Sequence, residues 1–245
     1  MTNDRTILSI EGRDRVAFLQ DLVTNDITHP ERMTYAALLT PQGKYLADFF
    51  VVHDGGRLLL DVATALAPAL AQRLSMYRLR RDVKITETDL RSSRGTGEPP
   101  AGAFPDPRHP ELGWRRISES GEVDDTDWDA LRVAHCIPEA GHELVVGESY
   151  PLEMGFDRLN GVDFRKGCYV GQEVTARMKH KTELKKGLAA VALSAPVPPG
   201  TEITSGGRTV GTVHTQSGGR ALAYLRFGRA GTEPLEAGGA EVTLA

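Results

Sequence analysis

Residues Arg5 to Ile10 alternate polar and apolar side chains, which predicts a strand. Val16, Leu19, Leu22 and Val23 then recur at helical spacing, and Thr34 to Leu39 reads as extended again. Pro41-Gln42-Gly43-Lys44 is a turn signal. The apolar, β-rich runs Tyr45 to His53 and Arg57 to Val62 flank Asp54-Gly55-Gly56, the pattern of a hairpin. Thr64 can cap the next helix, where Leu66, Leu70, Leu74 and Tyr77 share one apolar face. Pro68 fits only near that helix's start, where its missing N–H costs nothing. Val83 to Thr86 alternates as a short strand. Residues 92 to 110 are rich in Gly and Pro and read as an irregular surface excursion. Thr126 to Asp129 opens a helix running to about Cys136, ahead of Pro138. The expected strands Leu184 to Leu193, Arg208 to Gln216 and Ala221 to Phe227 surround a linker-like Ala195 to Gly200 and predict a small terminal β-barrel.

The composition, 40% hydrophobic and 25% charged over 245 residues, is globular and leaves room for one large domain or two to three small ones. Lys and Arg number 29 against 33 Asp and Glu, and a net charge of -4 argues against a general polyanion-binding surface. The amino terminus lacks the basic-then-apolar order of a signal peptide. The most apolar stretch, Leu58 to Ala71, is broken by Asp61 and Pro68 and is too short to span a bilayer. A cytoplasmic protein with reduced thiols is expected, with no membrane partner. The two cysteines, Cys136 and Cys168, exclude a disulfide scaffold and a four-cysteine metal site built from this chain alone. One reactive thiol is still allowed.

Local charge singles out one segment. From Arg165 to Lys186 there are seven Lys or Arg against two Glu, in a chain of net negative charge. Two glycines bracket Cys168, and a helix starting at Gly171 would set its amino-terminal dipole near the thiol. Positive potential favours thiolate over thiol, so a lowered pKa and a raised nucleophilicity are expected for Cys168. Composition alone leaves open the alternative of a packing cysteine among solvated lysines. Cys136, inside a predicted helix beside Leu131, reads as packing.

The run Lys166-Gly167-Cys168-Tyr169-Val170-Gly171-Gln172-Glu173, with Ala176-Arg177, closely resembles the KGCYxGQE…AR signature of the folate-binding YgfZ family. That family is related to the T-protein of the glycine cleavage system, an aminomethyltransferase, and to mitochondrial iron–sulfur assembly factors. Phe18-Leu19-Gln20 with Leu22, Thr24, Asn25 and Asp26 resembles its FLQ…LTND element. Pro41-Gln42-Gly43-Lys44 with Leu46-Ala47-Asp48-Phe49 resembles its P-x-G-[KR]-x-LADF run, and Asp106-Pro107-Arg108 with Leu112, Gly113 and Arg115 its DPR…LGxR element. The resemblance implies an α+β fold of three domains around a central hole, as in T-proteins, ending in a small β-barrel. The domains expected are residues 1–45 with 128–184, an inserted 46–127, and 185–245. It also implies tetrahydrofolate or a derivative as cofactor, and iron–sulfur proteins or their assembly factors as partners. Effects on tRNA modification would be indirect, through such an enzyme.

Site residues follow from the resemblance. Glu153 is the candidate acceptor for the paired N–H groups of a pterin ring, and Arg177 for folate's anionic tail. Asn25, Asp26 and Tyr169 are further ligand candidates. Lys166 and Cys168, two residues apart on an extended segment, would face one side, the ammonium holding the thiolate or a bound anion. Cys168 would then face the folate cavity or a partner and act as thiol ligand or nucleophile. One thiolate cannot hold a cluster alone, so any cluster contact is shared or transient.

Departures from the pattern matter as well. T-proteins carry an aspartate shortly after the strand matching Leu58 to Val62, whereas Ala63 to Leu70 contains no acid here. Without that carboxylate, classical aminomethyl transfer lacks a group to steer the proton, and an accessory role is preferred over a folate-dependent one-carbon transferase. Cys136 stands where relatives often have glycine, and Lys181-Thr182 replaces a glycine turn. An RNA-binding reading of the basic stretch ranks last, because only Tyr169 could stack on a base.

Overall fold

The computed structural model describes residues 4–122, 124–180, 183–230 and 233–245; Lys181-Thr182 lie outside them. The chain forms two compact units, Met1–Thr126 with Asp157–Val174, and Asp127–Phe156 with Thr175–Ala245.

The first unit is built on β1 (Arg5–Glu11), α1 (Arg15–Gln20), β2 (Thr34–Leu39), β3 (Tyr45–Asp54), β4 (Arg57–Ala63), α2 (Ala67–Arg78) and β5 (Lys84–Glu87). The strands make one antiparallel sheet in the order β2-β3-β4-β1-β5. Leu8, Ile10, Leu38, Phe49, Val51, Leu58 and Leu60 share a core with Phe18, Leu19, Leu70 and Leu74 of the two helices. The alternate positions, among them Ile7, Tyr35, Phe50, Leu59 and Asp61, are buried as well. Burial on both faces explains why β2, β3 and β4 read as largely apolar runs. The domain boundary expected at residue 45 is corrected by this ladder, since β3 and β4 pair with β2 and β1 in a single sheet.

A second sheet, β6-β8-β7, uses β6 (Arg91–Gly95), β7 (Phe104–Pro105) and β8 (Trp114–Ser118). The expected irregular excursion therefore contains strand. The sequence Arg91 to Gly95 has no apolar period, and its extended form depends on pairing with β8.

The second unit contains α3 (Trp128–Ala134), most of α4 (Gln172–His180) and strands β9 (Gly187–Leu193), β10 (Glu202–Ser205), β11 (Arg208–Ser217), β12 (Arg220–Leu225), β13 (Leu235–Ala237) and β14 (Ala240–Leu244). The strands close a barrel in the order β10-β11-β12-β9-β14-β13 around Val191, Ile203, Val213, Ala223, Leu225 and Val242. Asp127 caps α3 by accepting a hydrogen bond from Ala130 N at 3.0 Å. The helix ends in a Schellman motif, with Ile137 N donating to Arg132 O at 2.8 Å and Cys136 N to Val133 O at 3.4 Å. Cys136 holds the left-handed position of that motif at φ 53°, a conformation that glycine adopts more readily. Among the described residues, no helix is long and apolar enough to cross a membrane.

Candidate functional site

The cysteine segment is pinned at both ends. Lys166 is buried, and its Nζ donates to the carbonyls of Gln20 at 2.7 Å, Val23 at 2.6 Å and Asn25 at 2.9 Å. An ammonium has three N–H bonds, and all three are thereby engaged. Burial pushes its pKa down to about 8, against the opposing pull of Asp26 and Asp163. The expected pairing of Lys166 with the Cys168 thiolate is therefore corrected: the ammonium ties the segment to the turn after α1. Tyr169 is buried beside it, with Nζ 5.3 Å from the ring centroid.

Gly171 forms the second pin. Its φ of 84° suits glycine, and a Cβ added there would stand 2.6 Å from Thr40 O and 3.0 Å from Gly43 Cα. The PxGK turn and the start of α4 thus touch through two glycines, which leave no room for side chains. Between the pins, Cys168 is exposed.

The residues resembling FLQ…LTND build the turn that receives Lys166. Gln20 Nε2 donates to Asp26 Oδ1 at 3.0 Å, and its Oε1 accepts from Ile27 N at 3.0 Å. Thr24 Oγ1 donates to Gly161 O at 2.6 Å and accepts from Ala37 N at 2.9 Å. Asn25 Nδ2 donates to Tyr35 O at 2.8 Å and Asn160 O at 2.6 Å. Asn160, left-handed at φ 53°, donates to Pro107 O at 2.9 Å. Burial raises the Asp26 pKa, but hydrogen bonds from Thr28 and Gln20 and the nearby His29 outweigh it, leaving the carboxylate below its ordinary range.

This scaffold frames an open cavity of about 600 Å³ lined by Asn25, Arg32 to Tyr35, Pro107, Asn160 and Val162 to Arg165. Its size falls within the range of small-molecule sites. Met33, Thr34, Tyr35 and Val162 form a buried, uncharged part of the wall, and Phe164 is partly exposed. Of the ligand candidates named from sequence, only Asn25 lines it. Glu153 belongs to the second unit, where its carboxylate accepts from Tyr224 OH at 2.6 Å and stands 3.6 Å from Lys186 Nζ. Arg177 is exposed in the last turn of α4. The wall ends at Arg165, three residues before Cys168, so the thiol is presented outside the cavity lining.

Behind the cavity wall lies a buried ionic network that accounts for the DPR…LGxR residues. Asp106 accepts from Arg108 Nη2 at 2.8 Å and Arg115 Nε at 2.7 Å. Asp61 is paired with Arg5, takes a 2.6 Å bond from Ser92 Oγ and lies 3.4 Å from Arg115 Nη1. The guanidiniums of Arg5, Arg108 and Arg115 approach the Phe50 ring at 5.3, 4.9 and 3.9 Å. Burial alone would raise both carboxylates, but the adjacent arginines hold Asp61 and Asp106 below the usual carboxylate range.

Sequence reasoning missed Arg32, Asn160 and Phe164 as cavity residues and counted Arg165 only as part of a basic stretch. The Asn160-Gly161 dipeptide was a turn signal that could have marked the wall. Arg32 carried no such signal.

Residues 185–245 match the family model described as CAF17, C-terminal beta-barrel domain. The iron-sulfur cluster assembly factor IBA57 homolog, mitochondrial, of Mycosarcoma maydis is 34% identical, with 80% of this chain and 57% of that protein covered. The chain thus spans little more than half of that relative. The Homo sapiens iron-sulfur cluster assembly factor IBA57, mitochondrial, is 32% identical over 90% of this chain and 75% of its own length. The crystal structure of the glycine cleavage system aminomethyltransferase T from Bartonella henselae superposes with a TM-score of 0.76 at 13% identity, covering 98% of this chain and 82% of that one. The fold is therefore of the T-protein type, α and β mixed, with a carboxy-terminal six-stranded barrel. The expected cytoplasmic location is corrected by these sequence relatives, which are named mitochondrial.

Proposed function

The chain belongs to the IBA57 family of iron–sulfur cluster assembly factors, and from that premise we propose that it serves assembly or maintenance of iron–sulfur enzymes by offering the Cys168 thiol to a partner. The cavity in the first unit takes a tetrahydrofolate-type ligand in this reading. The observation that carries it is the exposed Cys168 held between the Lys166 and Gly171 pins. Two fixed ends restrict the conformations of the segment, so little ordering entropy remains to be lost when a partner docks. The thiol becomes one ligand of a cluster that passes through a shared site, the remaining ligands coming from the partner.

The cavity supports the folate reading through its volume, its uncharged buried wall and its two arginines. When bound, a tetrahydrofolate supplies one-carbon carrying chemistry. Aminomethyl transfer is the weaker reading, because Ala63 to Leu70 has no acid and Asp61 in the preceding strand is engaged by Arg5, Arg115 and Ser92.

The test is recovery of iron–sulfur enzyme activity in cells lacking the protein. Cys168→Ala, confirmed folded by circular dichroism, is expected to restore less than about a tenth of the activity that the unaltered chain restores. Full recovery would falsify the thiol's role.

A further inference from the structure

Charge is distributed unevenly around the cavity. Met33, Thr34, Tyr35 and Val162 are buried and uncharged, and the Asn25 and Asn160 amide groups are engaged in holding the wall together. Among the described lining residues, two arginines and one carboxylate supply all the charge. Arg32 is exposed and makes no ion pair among the described residues. The Arg165 side chain is 95% exposed, with its Nε 3.8 Å from Asp163 Oδ1, too long for a hydrogen bond. Asp163 in turn accepts the backbone N–H of Arg165 at 2.7 Å, which fixes where that side chain leaves the wall. An uncharged interior with exposed guanidiniums on its lining suits a ligand with a neutral planar head and an anionic tail. Guanidiniums are matched to carboxylates by their paired N–H donors.

We infer that Arg32 and Arg165 read the carboxylate tail of the cavity's ligand, so that the site selects folates by the number of carboxylates they carry. This rests on the folate reading above and assigns the tail to residues other than Arg177. Each arginine is exposed and contributes little by itself; the two converging on one tail make the effect measurable. Asp163 opposes it and sets its ceiling. The chemistry is reversible binding, with no bond made or broken.

The experiment is calorimetric titration of the purified chain with tetrahydropteroate, tetrahydrofolate and tetrahydrofolate triglutamate, at low and at moderate salt. Affinity is expected to rise at least tenfold from pteroate to triglutamate at low salt, and less at moderate salt because exposed charges are screened. In Arg32→Gln/Arg165→Gln the rise should fall below threefold, while pteroate binding stays within twofold of the unaltered chain. Arg177→Gln should keep the full rise, and Asp163→Asn should enlarge it by about threefold, its amide oxygen preserving the acceptor for Arg165 N–H. Equal affinity for the three ligands overturns the inference and leaves the folate reading intact. Loss of the rise in Arg177→Gln, or its persistence in the double variant, also overturns it. Failure of all three ligands to bind overturns both, and circular dichroism of each variant separates misfolding from lost recognition.

Discussion

Arginine carries opposite meanings in two regions of the first unit. In the network behind Phe50, Arg108 and Arg115 are buried and joined to Asp106 by bonds of 2.7 to 2.8 Å. At the cavity, Arg32 and Arg165 are exposed, and the nearest carboxylate to either guanidinium in an ion pair stands at 3.8 Å. Taking a charge out of water costs several kcal/mol, so a buried arginine persists only where carboxylates compensate it. An exposed arginine retains its hydration and can exchange that water for a ligand. The first arrangement fixes structure, and the second leaves binding capacity.

The largest expected effect is therefore on the buried side. Asp106→Ala leaves Arg108 and Arg115 in the interior without their shared partner and should lower unfolding free energy by about 3–5 kcal/mol in urea titrations. A loss under about 1 kcal/mol would mean that the network is solvated and the contrast false.

Acid gives a smaller, graded effect. Asp61 and Asp106 have folded-state pKa values held below the ordinary carboxylate value of 3.8. Their contribution is complete above that value and is lost as pH falls below it toward the folded-state values. Stability measured between pH 5 and 2 should fall steadily in the unaltered chain and more shallowly in Asp106→Ala. Parallel curves for the two would show that other groups dominate.

At the cavity the expected change is near zero. Arg165→Gln should leave the urea midpoint unchanged within about 0.5 kcal/mol of stability, as for surface positions generally. A loss of 2 kcal/mol would place Arg165 among the structural arginines.

The local elements were legible before the fold. The hairpin of β3 and β4, the apolar face of α2 and the Asp127-capped α3 depend on spacings within a few residues, and the chain displays them directly. Cys136, where the family resemblance led one to expect glycine, takes a left-handed conformation. Strands β10, β13 and β14 were missed because they are short, and closing the barrel makes them strands. Strand β6 was missed because Arg-Ser-Ser-Arg-Gly has no apolar period, and only the pairing with β8 extends it.

The candidate site divides in the same way. Local composition places Cys168 in a basic, glycine-bracketed segment, and the motif resemblance pointed to its family. Neither could determine the partner of Lys166, which reaches carbonyls 141 to 146 residues away in the chain. Folding makes this ammonium a pin, binds Glu153 to Tyr224, and brings Arg32 and Arg165 to one cavity. Periodicity and turn chemistry act through neighbours along the backbone. The fate of a charge depends on what the folded chain brings within hydrogen-bonding distance and on how much water remains there.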